Sequence, residues 1–307
     1  MPADSPLFSV IIATRDRPKE VIRAIRSVLV QSFPDFEVIV IDDGSRMAMQ
    51  AALGELVSSR VICFRNKVSL GPAKARWIGV NEARGQYCCF LDDDDYYLPD
   101  HLQGLRDLAQ RHNSKTALLC SGMQIHARGR PKQIANLWSK HSSALTGYWF
   151  APFNLLPFAI PTLKFTAEIE QLQDSPDEDF IEDFQWLCKL LATTKVIYHA
   201  VPTVVYTRQE ASRTNSRTDR EALIQRCAVI NRLASRPAIR RELPPNAVAY
   251  QLAHQCLHWT NQCIRNYQWL DAGWGLRKAL PHLTWKNIPS AIHTCLLALR
   301  TFMNRHR

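Results

Sequence analysis

Tyr87-Cys88-Cys89-Phe90-Leu91-Asp92-Asp93-Asp94-Asp95 is a run of five apolar or aromatic residues that ends in four carboxylates. A strand with no polar face has to be covered on both sides, as a central strand of a helix-covered parallel sheet is. Its exit then lies at the carboxyl edge of the sheet, where open α/β sheets bind ligands. The same pattern recurs on either side. Leu7–Ala13 is an apolar run that leads into Thr14-Arg15-Asp16-Arg17-Pro18, Phe36–Ile41 ends in Asp42-Asp43-Gly44-Ser45, and Val61–Phe64 reads as another strand. Between these, Val21, Ile22, Ile25, Val28 and Leu29 repeat at helical spacing, a second helix runs through about Leu56, and Gly71-Pro72 opens a third through Ala83. The expectation is an α/β fold: a Rossmann-like, mostly parallel sheet flanked by helices.

After Asp95 the rhythm loosens. A helix is expected from about Asp100 to Arg111, then a strand near Ala117–Gln124. The Pro- and aromatic-rich stretch Trp138–Phe165 reads as irregular strand and loop. A helix begins near Glu182, with Phe184, Leu187, Cys188 and Leu191 on one face, and a strand follows at Val196–Val204. From Arg220 the pattern is helical, which divides the chain into an α/β domain over 1–218 and a helical region over 219–307.

Charge divides at the same place. Residues 1–219 carry 25 Lys+Arg and 25 Asp+Glu, whereas 220–307 carry 13 Lys+Arg against only Glu221, Glu242 and Asp271. The whole net charge of +10 therefore sits in the tail, which suggests an anionic partner, a membrane surface or nucleic acid. Ile292, Cys295, Leu296, Leu299, Phe302 and Met303 form an apolar stripe suited to packing, to a membrane surface or to a second subunit. Trp259, Trp269, Trp274 and Trp285 read as core or interface residues, and His254 and His258 lack the Glu of a metalloprotease helix.

Several classes are disfavoured. No G-x-G-x-x-G follows the first strand and no G-x-x-x-x-G-K-[ST] occurs, so dehydrogenases and P-loop ATPases are poorly supported. The nine cysteines form no C-x-x-C pair, which suits a reducing compartment. There is no signal-peptide pattern and no spanning apolar run, since Trp149–Phe165 is broken by Pro152, Pro157 and Pro161. The expected location is cytoplasmic, with the tail available for peripheral contact at the inner face of the membrane.

Clustered carboxylates at the active edge of a sheet repel each other and need compensation. A divalent cation, Mg²⁺ or Mn²⁺, supplies it and keeps positions open for phosphate oxygens. Asp43 is suited to accept the N–H of a uracil-like or guanine-like base.

Taken in order, Val10–Pro18, Val38–Ser45, Leu70-Gly71-Pro72-Ala73-Lys74-Ala75-Arg76, Phe90–Asp95 and Ile181-Glu182-Asp183-Phe184-Gln185-Trp186-Leu187 resemble family 2 of the GT-A glycosyltransferases. Tyr206–Ser212 is similar to the segment that closes over donor and acceptor in that family. The resemblance spans roughly residues 7–215 and leaves the tail uncovered. It implies a nucleotide-sugar donor, with Thr14, Arg15 and Asp43 on the nucleobase side and Asp16 nearby. Arg76 and Asp92 match donor-binding positions, with Asp93 beside them, and Asp94 matches the metal ligand. Asp183 matches the catalytic base, with Glu182 the first alternative. Trp77 stands where relatives carry Asn, and Ala-Thr-Arg-Asp replaces the usual Pro-Thr-Tyr-Asn.

The implied chemistry suits these residues. A nucleoside diphosphate leaves with little need of protonation, so one ionised carboxylate suffices to deprotonate an acceptor hydroxyl, where a glycosidase would need two. Asp183 opens a helix whose dipole favours that ionised form. Glu182 and Asp183 point about 100° apart on the helix, so one of them faces the acceptor. Direct displacement inverts the anomeric centre, and the acceptor implied is a glycan or a lipid-linked saccharide. Two competing readings are a non-catalytic nucleotide-sugar-binding protein and a nucleic-acid binder working through the basic tail. No nucleic-acid motif supports the second, and no nucleic acid is expected as partner.

Overall fold

The computed structural model describes residues 5–127, 130–134, 143–150, 157–170, 182–208 and 219–305. They fall into two compact units, Met1–Ser139 with Phe153–Gln209, and Lys140–Pro152 with Glu210–Arg307.

The first unit begins with β1 (Phe8–Thr14), α1 (Pro18–Leu29), β2 (Phe36–Asp42), α2 (Met49–Leu53), β3 (Val61–Arg65), α3 (Pro72–Glu82) and β4 (Tyr87–Phe90). These strands lie in the order β3-β2-β1-β4, all parallel. α1 starts on a proline, whose fixed φ suits a first helical turn. It buries Val21, Ala24, Ile25 and Val28 in the core that also holds Phe8, Val10 and Val38. The register pairs Thr14 with Asp42 and Ile11 with Phe90. Beyond the paired residues, the Asp43 amide donates to the Thr14 carbonyl (2.9 Å) and the Leu91 amide to the Ile11 carbonyl (3.0 Å). Three strand exits therefore open side by side at one edge.

The chain continues through β5 (Tyr96–Tyr97), α4 (His101–Arg111), β6 (Leu118–Ala127) and β7 (Arg130–Ile134). α5 (Ala144–Phe150) belongs to the second unit. β8 (Phe158–Pro161), α6 (Thr162–Glu170), α7 (Glu182–Thr193) and β9 (Val196–Arg208) complete the first. The expectation of irregular chain over Trp138–Phe165 is corrected here. α5, β8 and the start of α6 fall within it, while 135–142 and 151–156 lie outside the described residues.

β8 is antiparallel to both β4 and β6, β9 is parallel to β6, and β5 runs antiparallel along β9. The sheet is therefore mixed, parallel over β1–β4 and again between β6 and β9. β4 and β5 stand four places apart in the order β4-β8-β6-β9-β5, about 19 Å in a flat sheet. Yet only Leu91–Asp95 joins them, and the Tyr97 hydroxyl donates to the Phe90 carbonyl at 3.1 Å. The sheet must roll, and the acidic run crosses the mouth of the roll.

The second unit comprises α5 with α8 (Arg220–Ser235), α9 (Pro237–Glu242), α10 (Ala247–Arg265), α11 (Trp269–Ala279) and α12 (Ile288–Arg305). Asp219 caps α8 by accepting the Ala222 amide at 2.7 Å. Leu223, Cys256, Leu257, Trp259, Cys263 and Ile264 form the core, with Ala291, Leu297 and Ala298 of α12 packed against it. α5 is seated by Trp149 Nε1 donating to the Ala247 carbonyl and Thr146 Oγ1 donating to the Glu242 carbonyl, at 2.9 and 2.8 Å. Of the four tail tryptophans Trp259 is buried, whereas Trp285 is 88% exposed. His254 and His258 stack on each other, and no cluster of three potential metal ligands occurs among the described residues. No helix among the described residues is long and apolar enough to cross a membrane.

Candidate active site

At the carboxyl edge of β1, Thr14 Oγ1 donates to Asp93 Oδ2 at 2.8 Å. Arg17 Nη1 reaches Asp93 Oδ1 at 2.9 Å and Asp94 Oδ2 at 3.1 Å. The exit of the first strand thus grips the acidic run that leaves the fourth. Arg15 is exposed on the same loop. Burial pushes the Asp93 carboxyl above its usual range against the pull of Thr14 and Arg17. Burial and then the charge of Asp92 do the same to Asp94, with Arg17 opposing. Arg23 of α1 donates to the Asp94 carbonyl and lies over the Tyr96 ring.

Arg76, on the second turn of α3, sits between two carboxylates. Nη2 is 2.6 Å from Asp92 Oδ1, and Nη1 is 3.4 Å from Asp183 Oδ1. The guanidinium thereby brings the acidic run and the start of α7 together. α7 is held in place by aromatic packing. Phe165 of α6 meets Trp186 edge-on (centroids 5.3 Å apart) and also contacts Phe90 and Trp77. Trp77 is part of this cluster, which supports the helix bearing Asp183. The backbone of Glu182 opens α7, and its side chain lies outside the described residues.

Asp43 faces the loop before α3. Its carboxylate accepts from Asn66 Nδ2 (2.8 Å), Ser69 Oγ (2.7 Å), the Leu70 amide (2.8 Å) and the Gly71 amide (3.0 Å). A carboxylate offers about four acceptor positions, so the chain's own donors occupy Asp43. Burial acts to raise its pKa, but these hydrogen bonds outweigh it and hold the carboxyl below the usual range. Gly44 adopts φ 70° against this loop, where an added Cβ would come within 2.6 Å of the Ser69 nitrogen. Asp42 is equally committed, accepting from the Ser45 and Met49 amides at 2.9 Å each.

Asp95 is buried and accepts the Thr207 amide at 2.7 Å. Its Oδ2 and the Thr207 hydroxyl are buried without a hydrogen-bond partner among the described residues. Burial first, then the charge of Asp92, pushes its carboxyl up to about 9. Asp95 thus ties the acidic run to the end of β9. Of the segment Tyr206–Ser212, residues 209–212 lie outside the described residues.

The structure brings Thr14, Arg76, Asp92, Asp93, Asp94 and Asp183 into one constellation and places Asp43 beside it. Two participants were not expected, Arg17 and Asp95. Arg17 could have been found from its position, because an arginine immediately before a helix-opening proline makes no cap. Part of the compensation expected from a metal comes from Arg17 and Arg76. The residues still fit a cation of a particular kind. Arg17 engages one oxygen of Asp94, and burial, then the charge of Asp92, holds its carboxyl above the usual range. A Mg²⁺ or Mn²⁺ there would take its remaining ligands from water and a bound diphosphate, as these ions usually do.

The glycosyl transferase family 2 pattern matches residues 9–164, half of the chain, from β1 into α6. An uncharacterised glycosyltransferase of Rickettsia conorii is 32% identical over 168 residues, which cover 53% of this chain and 26% of that protein. A UDP-Glc:α-D-GlcNAc-diphosphoundecaprenol β-1,3-glucosyltransferase of Escherichia coli is 34% identical over 92 residues, covering 30% of this chain and 37% of its own. The match thus spans well under half the length of either relative. Staphylococcus aureus TarS in complex with UDP-GlcNAc superposes with a TM-score of 0.61 at 17% identity, over 94% of this chain and 79% of that one, a likeness of fold. The match runs through Thr14, Arg17, Asp43, Arg76 and Asp92–Asp95 and ends before Asp183, and the chain belongs to glycosyl transferase family 2.

Proposed function

We propose that the chain transfers one sugar from a nucleoside-diphosphate sugar to an acceptor hydroxyl with inversion. The observation that carries this reading is Arg76, which stands between Asp92 of the acidic run and Asp183 at the head of α7. In this reading one cationic side chain connects the edge that faces the diphosphate to the carboxylate that acts as base.

In this reading Thr14 and Arg15 line the nucleobase side, and Asp43 shapes its wall by holding the Asn66–Gly71 loop. Asp92, Asp93 and Arg76 flank the donor, with Arg17 as a second cation on the diphosphate side. Asp94 would hold a divalent cation, which would supply charge neutralisation for a leaving diphosphate. Asp183 takes the proton of the acceptor hydroxyl as its oxygen bonds to the anomeric carbon. The bond from that carbon to the phosphate oxygen breaks in the same displacement, and the nucleoside diphosphate keeps the electron pair. A single displacement leaves the new bond on the opposite face.

The acceptor is a saccharide, most simply one on a lipid diphosphate. The name of the E. coli relative, which specifies a diphosphoundecaprenol-linked acceptor, supports this. The test is to incubate the chain with a panel of nucleotide sugars and saccharide acceptors, with Mn²⁺ or with EDTA. Nucleoside-diphosphate release and the anomeric configuration of the product are then measured. Metal-dependent release with an inverted product is expected. Donor binding without release would favour the non-catalytic reading, and equal turnover in EDTA would remove the metal.

A further inference from the structure

α12 is apolar on two sides. Ala291, Leu297 and Ala298 pack against the core of the helical unit and Thr294 is buried, which defines the inward face. Successive residues turn 100°, which places Ile288, Ile292, Cys295 and Leu296 within one arc of about 100° facing away from it. All four are exposed, Ile292 at 55% and Leu296 at 59%. Trp285, 88% exposed, lies just before the helix, and Leu280 is exposed before it in sequence. A helix whose apolar inward side is already packed has no need of a second apolar side for folding. Contiguous exposed apolar surface of this kind marks a place of contact.

The charge around this face identifies the contact. No Asp or Glu occurs after Asp271, whereas Arg277, Lys278, Lys286, Arg300, Arg305 and Arg307 do. Arg277, Lys278 and Lys286 are exposed. An apolar stripe preceded by a tryptophan, with basic residues along the same stretch of chain and no acidic residue after Asp271 in the sequence, has the composition of a helix that lies in a lipid interface. A protein partner would bring its own mixture of charges, so nothing would require the complete absence of Asp and Glu. We infer that the outward face of Trp285–Leu296 docks on an anionic lipid surface, the apolar residues entering the headgroup boundary and the Lys and Arg residues pairing with lipid phosphates. This goes beyond sugar transfer and does not depend on it.

Deleting α12 would remove part of the core, so the test uses outward-facing substitutions in the full chain. Binding is measured by co-sedimentation with vesicles of equimolar phosphatidylglycerol and phosphatidylcholine, and with phosphatidylcholine alone, across a salt series. Oligomeric state is read by light scattering, and folding of each variant by thermal unfolding. Wild type should sediment with the anionic vesicles and release as salt rises, because each Lys or Arg near such a surface strengthens binding about fivefold. The variant Trp285→Ser/Ile292→Ser/Leu296→Ser should bind about tenfold or more weakly while unfolding at a similar temperature. Arg277→Gln/Lys278→Gln/Lys286→Gln should lose most of the preference for anionic lipid. Absence of binding, equal binding to both vesicle types, or binding unchanged by the apolar variant would overturn the inference. So would a dimer that the apolar variant dissolves, which would make the stripe a contact between copies of the chain.

Discussion

Asp95 accepts the backbone amide of Thr207 at 2.7 Å across 112 residues of chain. The carboxyl sits in a buried position that pushes it up to about 9, so it is protonated at neutral pH. In the unfolded chain it titrates near the ordinary value of about 4. Between those values the folded state holds a proton that the unfolded state has lost, and stability falls as pH rises through the window. Asp95→Asn keeps the acceptor oxygen and removes the titration. The variant should match wild type near pH 4, exceed it at pH 8, and show a flatter stability profile between. Urea unfolding at a series of pH values in EDTA measures this. A profile parallel to wild type would place the pH dependence on other groups.

Arg17 pairs with both Asp93 and Asp94. Arg17→Met leaves two partly buried carboxylates facing each other and should cost about 2 kcal/mol in EDTA. Millimolar Mn²⁺ should then raise the melting temperature of the variant more than that of wild type, because the ion can take the place of the lost charge. Equal shifts in both proteins would count against a cation at Asp94.

Asp183→Asn should leave donor affinity nearly intact and slow transfer by about 10²–10⁴. Calorimetry with the donor and a nucleoside-diphosphate release assay separate the two effects. Transfer at nearly the wild-type rate would move the base to Glu182. Loss of donor affinity alone would make Asp183 a donor-binding residue held by Arg76.

Asp43→Ala removes the acceptor for Asn66, Ser69 and two backbone amides and should cost roughly 3 kcal/mol. The Asp43 carboxyl is held below its ordinary range, so its contribution is fully present above about pH 4 and is lost as pH falls through the depressed value. Wild type and variant should therefore converge in acid. Donor affinity should also fall in the variant, because the loop wall loosens. Unchanged donor affinity would separate that loop from the site.

Much of this was legible wherever burial on both faces imposed an uninterrupted apolar run. β1, β2 and β4 could be read from their residues, and because each run ends in polar or acidic residues, the position of the active edge could be read too. α1 was legible because its buried residues recur every three or four positions. α5 was not, since five of its six residues with described side chains are buried and no polar face marks a period. β5 is two residues long and exists only through its pairing with β9. The carboxylates pointed to the site, but the choice of partner for each did not follow from the chain order. That choice depends on side chains crossing between strand exits, as with Arg17 to Asp93 or Arg76 to Asp183. It is also why Asp43, expected to face a base, turns out to be occupied by its own loop.

The bonds that shape the constellation join residues far apart in the chain, 76 positions for Arg17 and Asp93, 79 for Thr14 and Asp93, 107 for Arg76 and Asp183, and 112 for Asp95 and Thr207. Loop closure over such separations is entropically costly and slows folding. A chain emerging from synthesis through β5 already carries all four carboxylates of the acidic run, but Asp183 and Thr207 have yet to be made. On the proposed function, competence to transfer would therefore wait for Asp183 and β9, the last parts of the roll to be made. In the proposed reading the donor side, by contrast, is built from residues 14–94 and is present in the chain before the base is made.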